Sequence, residues 1–260
     1  MEWMLGIFVL AGIVAGFLAG LLGIGGGLVV VPVMFFVLSS DPAAATYAMH
    51  VALGSSLAFI VINSGIAAIM HWRLGGLRWR ELGWMAPGLV IGSLAGARLA
   101  DEFPTAALQR WFGIFLLVMA AYLFLQRHPP LPKADRPWLS AIAGLPIGGV
   151  ASLAGVGGGV MVVPWLLARG HRAAVAVATS SACTVIVAFV GSVGYMLFAS
   201  ETPLPYSTGY IYWPAVAAFA VTAIFTAPLG AKTAHRIDQS KLRRGFALLV
   251  LLVGLKLLVD

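Results

Sequence analysis

Charged residues are scarce in this chain of 260 residues, because only 10% of them are Asp, Glu, Lys or Arg. Hydrophobic residues make up 61% of the chain, and its mean hydropathy is +0.98. A soluble domain is about 45–50% apolar and about 25% charged. A soluble core of this size cannot bury so much apolar surface. The composition therefore predicts an integral membrane protein with the lipid bilayer as its surroundings.

Cysteine is nearly absent as well. The single Cys183 excludes an internal disulfide, and one thiol alone cannot build a structural zinc site, so we expect no metal and no cofactor. The net charge of +7 comes from 16 Lys and Arg against 9 Asp and Glu. These basic residues lie in short loops between apolar runs, which is typical of cytoplasmic membrane loops, and no nucleic-acid partner is expected.

Two neutral runs, 3–40 and 137–168, are too long for a single membrane crossing. As one straight helix the first would be about 57 Å long, whereas the hydrocarbon core is about 30 Å thick. Each run has a glycine cluster in its middle, and a proline, Pro32 or Pro164, follows shortly after. We therefore predict that each run breaks into a re-entrant helical hairpin.

Sequence matches divide the chain into two similar halves. Leu22–Gly27 matches Ala154–Gly159 at an offset of 132 residues, and Ser55-Ser56 matches Ser180-Ser181 at an offset of 125. Gly96-Ala97-Arg98 matches Gly230-Ala231-Lys232 at an offset of 134. The predicted organisation is repeat 1 over 1–125, a linker over 126–137 and repeat 2 over 138–260.

Each repeat is predicted to contain one glycine-broken hairpin and three transmembrane helices. An odd number of crossings inverts the second repeat relative to the first. The predicted fold is therefore an all-α polytopic membrane protein with two inverted-topology repeats. The predicted hairpins cover 4–38 and 139–168, and the predicted helices cover about 48–71, 80–100, 106–125, 173–198, 210–231 and 244–259.

Loop charge predicts the orientation of the chain. Four loops hold 13 of the 16 Lys and Arg residues, and the opposite side receives six of the nine acids. The positive-inside rule places these four loops in the cytoplasm and both termini on the non-cytoplasmic side. The loops are 71–81, 126–137, 169–172 and 232–244.

The glycine breaks predict an anion-binding site near the membrane midplane. A helix that resumes after such a break exposes free N–H groups and a partial positive charge at its start. Two starts that enter from opposite faces converge, as the broken helices of secondary transporters do. The alternative is that Gly and Ser only allow close helix packing. The candidate binding residues are Gly25, Gly26, Gly27, Gly157, Gly158 and Gly159, with the hydroxyls of Ser55, Ser56, Thr179, Ser180 and Ser181.

Four further residues are candidates for gating or lining the path. Arg98 and Lys232 either gate the anion or extend to the lipid headgroups. Asn63 either lines the site or makes an interhelical hydrogen bond, and His50 either titrates there or has a capping or interfacial role. We expect no Asp or Glu inside any membrane span, and therefore no buried-carboxylate proton relay. The membrane potential alone drives a monoanion outward by about 2.3 kcal/mol per 100 mV.

Segments 21–32 (LLGIGGGLVVVP) and 153–164 (LAGVGGGVMVVP) resemble the paired signatures of the TauE/SafE family of sulfite exporters. The Ala-Thr-Ser-Ser segment at 178–181 is similar to that family too, and the resemblance covers essentially the whole chain. It implies a transporter in the bacterial inner membrane that exports sulfite or a related small anion such as a sulfonate, sulfoacetate or thiosulfate. Alternating access of one repeat against the other is the expected mechanism. The sequence does not determine whether the protein forms a homo-oligomer.

Other function classes are weaker interpretations. A hydrolase is not expected, because no Gly-x-Ser-x-Gly or His-Glu-x-x-His motif occurs. An anion channel remains an alternative, and it would conduct without saturation or counterflow. A non-transporting membrane assembly factor also remains, and no substrate would stabilise it.

Overall fold

The computed structural model of the chain describes residues 2–22, 25–42, 44–125, 137–200, 204–234 and 239–259. For residues 2, 3, 20, 22, 137, 231, 232, 234 and 239–243 the description covers the backbone alone. The predicted linker over 126–137 falls almost entirely outside the described residues. The α-helices of the described chain are α1 (Glu2–Leu22), α2 (Gly27–Ser39), α3 (Ala48–Arg73), α4 (Trp79–Glu102), α5 (Thr105–Leu125), α6 (Pro137–Leu153), α7 (Gly159–Ala168), α8 (Ala173–Leu197), α9 (Trp213–Ala234) and α10 (Gln239–Val259).

Apolar helices of membrane-spanning length confirm the prediction of an all-α polytopic membrane protein. Within the described residues, five helices have the length and composition to cross a membrane: Ala45–Arg73, Trp79–Glu102, Thr105–Leu125, Ala173–Leu197 and Trp213–Gly230. Shorter apolar helices accompany them, among them α2 and α7, which follow the glycine clusters. Many Leu, Ile, Val and Phe side chains on the surface of the described helices are exposed. In a membrane protein, such side chains face the lipid.

The two glycine clusters interrupt the chain with the same backbone geometry. Gly26 precedes α2 with φ 87° and ψ −14°, and Gly158 precedes α7 with φ 85° and ψ −14°. This left-handed conformation suits glycine, because a Cβ would approach the following carbonyl oxygen. Any other residue at either position would therefore strain the backbone at the start of the helix.

Helix pairing joins the two halves of the chain throughout. α1 packs against α9, α4 against α6, α5 against α10 and α3 against α8. Every residue of α3 from Ala48 to Ile60 is buried, and α8 buries most of one face from Ala176 to Tyr195. These two helices form the centre of the molecule, and the glycine breaks lie against them.

A two-stranded antiparallel hairpin separates α8 from α9, and the sequence analysis did not predict it. Ser207 pairs with Tyr212 and Thr208 pairs with Ile211, in strands β1 (Ser207–Thr208) and β2 (Ile211–Tyr212). The ring of Tyr210, between the strands, is buried, and the Tyr212 ring contacts Phe8 of α1 edge-on. The hairpin therefore inserts into the helical bundle.

Candidate functional site

The two helix breaks meet each other at the centre of the molecule. A Cβ built on Gly27 would lie 2.6 Å from the carbonyl oxygen of Gly155 and 3.0 Å from the Cα atom of Val156. The start of α2 therefore touches the loop that precedes α7. This contact brings together the two glycine clusters that the sequence places 132 residues apart.

Both helix starts lack a side-chain cap among the described residues. The first hydrogen bonds into α2 and α7 are donated by the N–H groups of Val29 to Gly26 and of Met161 to Gly158, each at 3.0 Å. The N–H groups that precede these donors, on Gly27, Leu28, Gly159 and Val160, lie at the positive ends of the helix dipoles. Such a pair of helix starts can attract and bind an anion.

Three of the predicted hydroxyls bind backbone carbonyls. Ser56 on α3 donates to the carbonyl oxygen of Gly155 at 2.8 Å, and Ser180 on α8 reaches that of Gly159 at 3.4 Å. Ser181 instead donates to the Val177 carbonyl of its own helix at 3.0 Å. Ser56 and Ser180 therefore hold the second glycine break in place, whereas Ser181 does not contact it.

The other two hydroxyls join the halves of the chain. Ser55 accepts the backbone N–H of Tyr212 at 2.9 Å, and Thr179 accepts that of Arg78 at 3.1 Å. Tyr212 directly precedes α9 and Arg78 directly precedes α4. In each bond, a hydroxyl in one half of the chain accepts from the residue that precedes a helix in the other half. Each hydroxyl accepts here, so its O–H group remains able to donate.

Ser56→Ala and Ser181→Ala form a matched pair of test substitutions. Loss of the Ser56 hydroxyl leaves the buried Gly155 carbonyl without this donor, so we expect a loss of about 1–2 kcal/mol in the free energy of unfolding. Ser181→Ala should change it by less than about 0.5 kcal/mol, because the remaining helix bond is intact. Thermal unfolding of the purified variants in detergent measures both. Equal losses for the two variants would contradict the assigned role of Ser56.

Asn63 lies beside the first break. Its side-chain nitrogen donates to the carbonyl oxygen of Gly25 at 3.4 Å, and a Cβ on Gly25 would lie 3.6 Å from the Ser64 hydroxyl oxygen. At the second break, a Cβ on Gly159 would lie 3.2 Å from the hydroxyl oxygen of Thr184. The sequence analysis missed Thr184, although its position four residues after Ser180 puts both on one helix face.

His50 contacts the end of α4. Its side chain is buried, and its Nε2 atom is 3.1 Å from the carbonyl oxygen of Ala100 and 3.0 Å from that of Phe103. A nitrogen between two carbonyl acceptors must carry the proton and donate it. His50 therefore binds carbonyl oxygens at the end of α4.

Arg98 is held by carboxylates of its own helix. Its guanidinium lies 3.1 Å from Asp101 and 3.3 Å from Glu102, and its side chain is 52% exposed. It also lies 5.9 Å from the ring centroid of Phe198, so it is near the end of α8. The side chain of the other gate candidate, Lys232, lies outside the described residues.

Carboxylates occur at both ends of a membrane-spanning helix. α4 contains Glu81 in its first turn and Asp101 in its last, so the expectation that such helices lack acids is wrong here. α4 is longer than the neutral stretch 82–97, so it includes charged residues at both ends. Charged residues are tolerated there, because the ends of a spanning helix lie at the membrane surface. Both side chains are largely buried, with exposed fractions of 15% for Glu81 and 12% for Asp101.

Comparison with known proteins places this arrangement among membrane transporters. The model of the family described as "Sulfite exporter TauE/SafE" matches residues 8–257. A probable membrane transporter protein of Haemophilus influenzae is 34% identical over 252 residues, which cover 95% of this chain and 96% of the relative. A probable membrane transporter protein of Methanocaldococcus jannaschii is 27% identical, over 98% of this chain and 96% of the relative. No solved structure matches.

Proposed function

This chain belongs to the TauE/SafE family of membrane transporters, and we propose that it moves sulfite or a related small sulfur-containing anion by alternating access. The observation that carries this proposal is the contact between two uncapped helix starts at the centre of the molecule. Sulfonates, sulfoacetate and thiosulfate share the feature that such a site recognises, a compact anionic group with several acceptor oxygens. The N–H groups of a helix start bind such oxygens.

Backbone groups and neutral side chains supply the proposed binding site. Among the described residues, no lysine or arginine is fully buried, and the buried or largely buried side chains of His50, Glu81 and Asp101 lie at the ends of α4. The anion is therefore attracted by helix dipoles and hydrogen-bond donors rather than by a lysine or arginine. The proposed donors are the N–H groups at the starts of α2 and α7, the hydroxyl of Thr184, and the Asn63 amide.

The alternating-access mechanism needs two units that move against each other. We propose that residues 1–125 and 138–260 are inverted-topology repeats, in which α1, α2 and α3–α5 correspond to α6, α7 and α8–α10. The equal cap geometry of Gly26 and Gly158 supports this assignment, as do the bonds that Ser55 and Thr179 accept across the halves. We further propose that both termini lie on the non-cytoplasmic side of the bacterial inner membrane. The interior-negative membrane potential favours export of the anion.

A ligand-dependent rise in melting temperature tests the proposed substrate class. At fixed ionic strength we expect sulfite, or a sulfonate or thiosulfate, to stabilise the protein, by about 2.7 kcal/mol at one hundred times the dissociation constant. Taurine is tested as one of the sulfonates, and sulfate and chloride serve as comparison ligands. Thr184→Val should abolish the stabilisation, because it removes a hydroxyl beside the start of α7.

Ser192→Ala is the matched control for that substitution. Ser192 is also a buried hydroxyl of α8, but it donates to the Ala188 carbonyl of its own helix. It should leave the ligand-dependent shift unchanged. A shift that survives in Thr184→Val but disappears in Ser192→Ala would refute the location of the site.

Counterflow in proteoliposomes separates a carrier from the two alternative functions. A carrier loaded with unlabelled sulfite should take up labelled sulfite faster than an empty vesicle does, and uptake should saturate. An anion channel would give flux without this acceleration. A non-transporting assembly factor would give neither flux nor ligand stabilisation.

A further inference from the structure

Helix α4 carries one largely buried carboxylate at each end. Glu81 and Asp101 are separated by 20 residues, which places them about 30 Å apart along a straight helix. That distance equals the thickness of the hydrocarbon core. The two carboxylates therefore lie near opposite faces of the membrane.

The Asp101 carboxylate binds the segment between α8 and α9. The phenol of Tyr210 donates to it at 2.9 Å, and the Ser200 hydroxyl donates to the same oxygen at 3.4 Å. Burial raises the pKa of Tyr210, so its O–H group remains a donor at neutral pH. Asp101 also pairs with Arg98 of its own helix. The end of α4 is thereby tied to the β-hairpin that inserts over Ser55.

The Glu81 carboxylate makes equivalent links at the other end of α4. The hydroxyl of Ser140, in α6, donates to one carboxylate oxygen at 3.2 Å. The Nε2 atom of His171, between α7 and α8, lies 3.5 Å from the other oxygen. Beside them the backbone of Arg78 donates to Thr179. The start of α4 is thus tied to the second half of the chain at three points.

We propose that Glu81 and Asp101 are the latches that close the two opposite faces of the transport path. Each joins α4, in the first half of the chain, to segments of the second half. Any motion that separates the halves at one face must break the latch at that face. Both latches are formed in this structure. The inference rests on the proposed alternating-access function.

Within the described residues, the matching helix α9 has no equivalent of the Glu81 latch. At the offset of 134 residues, Ala215 takes the place of Glu81. Ala215 is buried and has no group that could bind across the halves. His235, in the place of Asp101, lies outside the described residues. One helix therefore links both faces, and a shift of α4 that strains one latch also acts on the other.

Accessibility of a single cysteine at the centre tests this inference without any substrate. Cys183 is the only cysteine of the chain, so Cys183→Ser gives a cysteine-free background, and Thr184→Cys adds a reporter between the two faces. The rate of labelling by a membrane-impermeant maleimide is measured in right-side-out and in inside-out vesicles. Asp101→Asn should raise the rate from one side and Glu81→Gln from the other. We expect roughly a tenfold rise, because hydrogen bonds to a charged group shift an equilibrium by that order.

Two further variants and one control sharpen the experiment. Tyr210→Phe removes the partner hydroxyl of Asp101, and Ser140→Ala removes that of Glu81. Each should raise the labelling rate from the same side as the corresponding carboxylate variant. They keep the test valid if a carboxylate variant does not fold. Glu102→Gln is the control, because this 55% exposed acid pairs with Arg98 of its own helix among the described residues. Its labelling rate should equal that of the background.

The outcomes separate the latches from the transport function. Opposite-sided increases support the latches. Increases on the same side for both variants, or no increase for either, overturn them even if the parent protein catalyses sulfite counterflow. Opposite-sided increases in a parent protein without sulfite counterflow support the latches and overturn the proposed substrate class.

Discussion

Gly92→Leu should leave almost no correctly folded protein. A Cβ on Gly92 would overlap the carbonyl oxygen of Leu145 in α6 and would lie 2.8 Å from the backbone nitrogen of Gly149. Overpacking of a core usually costs about 1–3 kcal/mol, because side chains can move aside. Backbone atoms of a neighbouring helix cannot move in this way, so the cost here should approach the whole stability of about 5–15 kcal/mol.

Gly83→Leu is the matched control for Gly92→Leu. Gly83 lies on the same helix, and no described atom is within 4 Å of a Cβ built there. It should yield a monodisperse peak in size-exclusion chromatography and a melting temperature within a few degrees of the parent protein. A folded Gly92→Leu variant with a similar melting temperature would show that α4 and α6 do not approach as closely as described.

Gly27→Ala should reduce sulfite flux at least about tenfold while leaving folded protein. The added methyl group would lie 2.6 Å from the Gly155 carbonyl oxygen, so the two breaks must move apart. Functional groups have to be held within about 0.5 Å of their working positions. A small separation of the two helix starts is therefore enough to weaken anion binding. Proteoliposome counterflow and the sulfite-dependent rise in melting temperature measure the effect.

Gly65→Ala, on α3, is the control for Gly27→Ala. Its Cβ would meet no described atom within 4 Å. It should retain the flux and the ligand-dependent stabilisation of the parent protein. Parent-level flux in Gly27→Ala would contradict the proposal that the anion is bound between the two breaks.

Local sequence features predicted those parts of the molecule that depend on neighbouring residues. Charge-free stretches predicted apolar helices, and the clusters around Gly26 and Gly158 predicted interruptions, because glycine tolerates the left-handed entry that a break requires. The predicted hydroxyl of Ser180 lies at the break that precedes its own helix. Ser56, which is also early in the helix after a hairpin, binds the break of the other half, and the sequence did not indicate this partner.

Features that depend on packing between distant segments escaped prediction. Nothing near Tyr210 indicates that it binds Asp101, which lies 109 residues earlier. The partners of Glu81 likewise come from α6 and from the loop between α7 and α8. The sequence analysis placed Glu81 in the loop 71–81, so it did not predict that the Glu81 side chain is largely buried. Thr184 is a different case, since its helical spacing from Ser180 was visible in the sequence and could have identified it.

The pairing of α1 with α9 constrains the order in which the protein can be completed during synthesis. Gly12 and Gly16 of α1 meet Thr222, Ala223 and Thr226 so closely that only glycine fits, and Gly230 meets the backbone of α1 at Phe17. The ribosome makes α1 long before α9, so the small-residue face of α1 lacks this partner until α9 has been made. Until α9 arrives, lipid or an insertion factor must cover that face. Truncation before α9 should therefore expose α1 to membrane quality-control proteases, while α4 and α6 have already met.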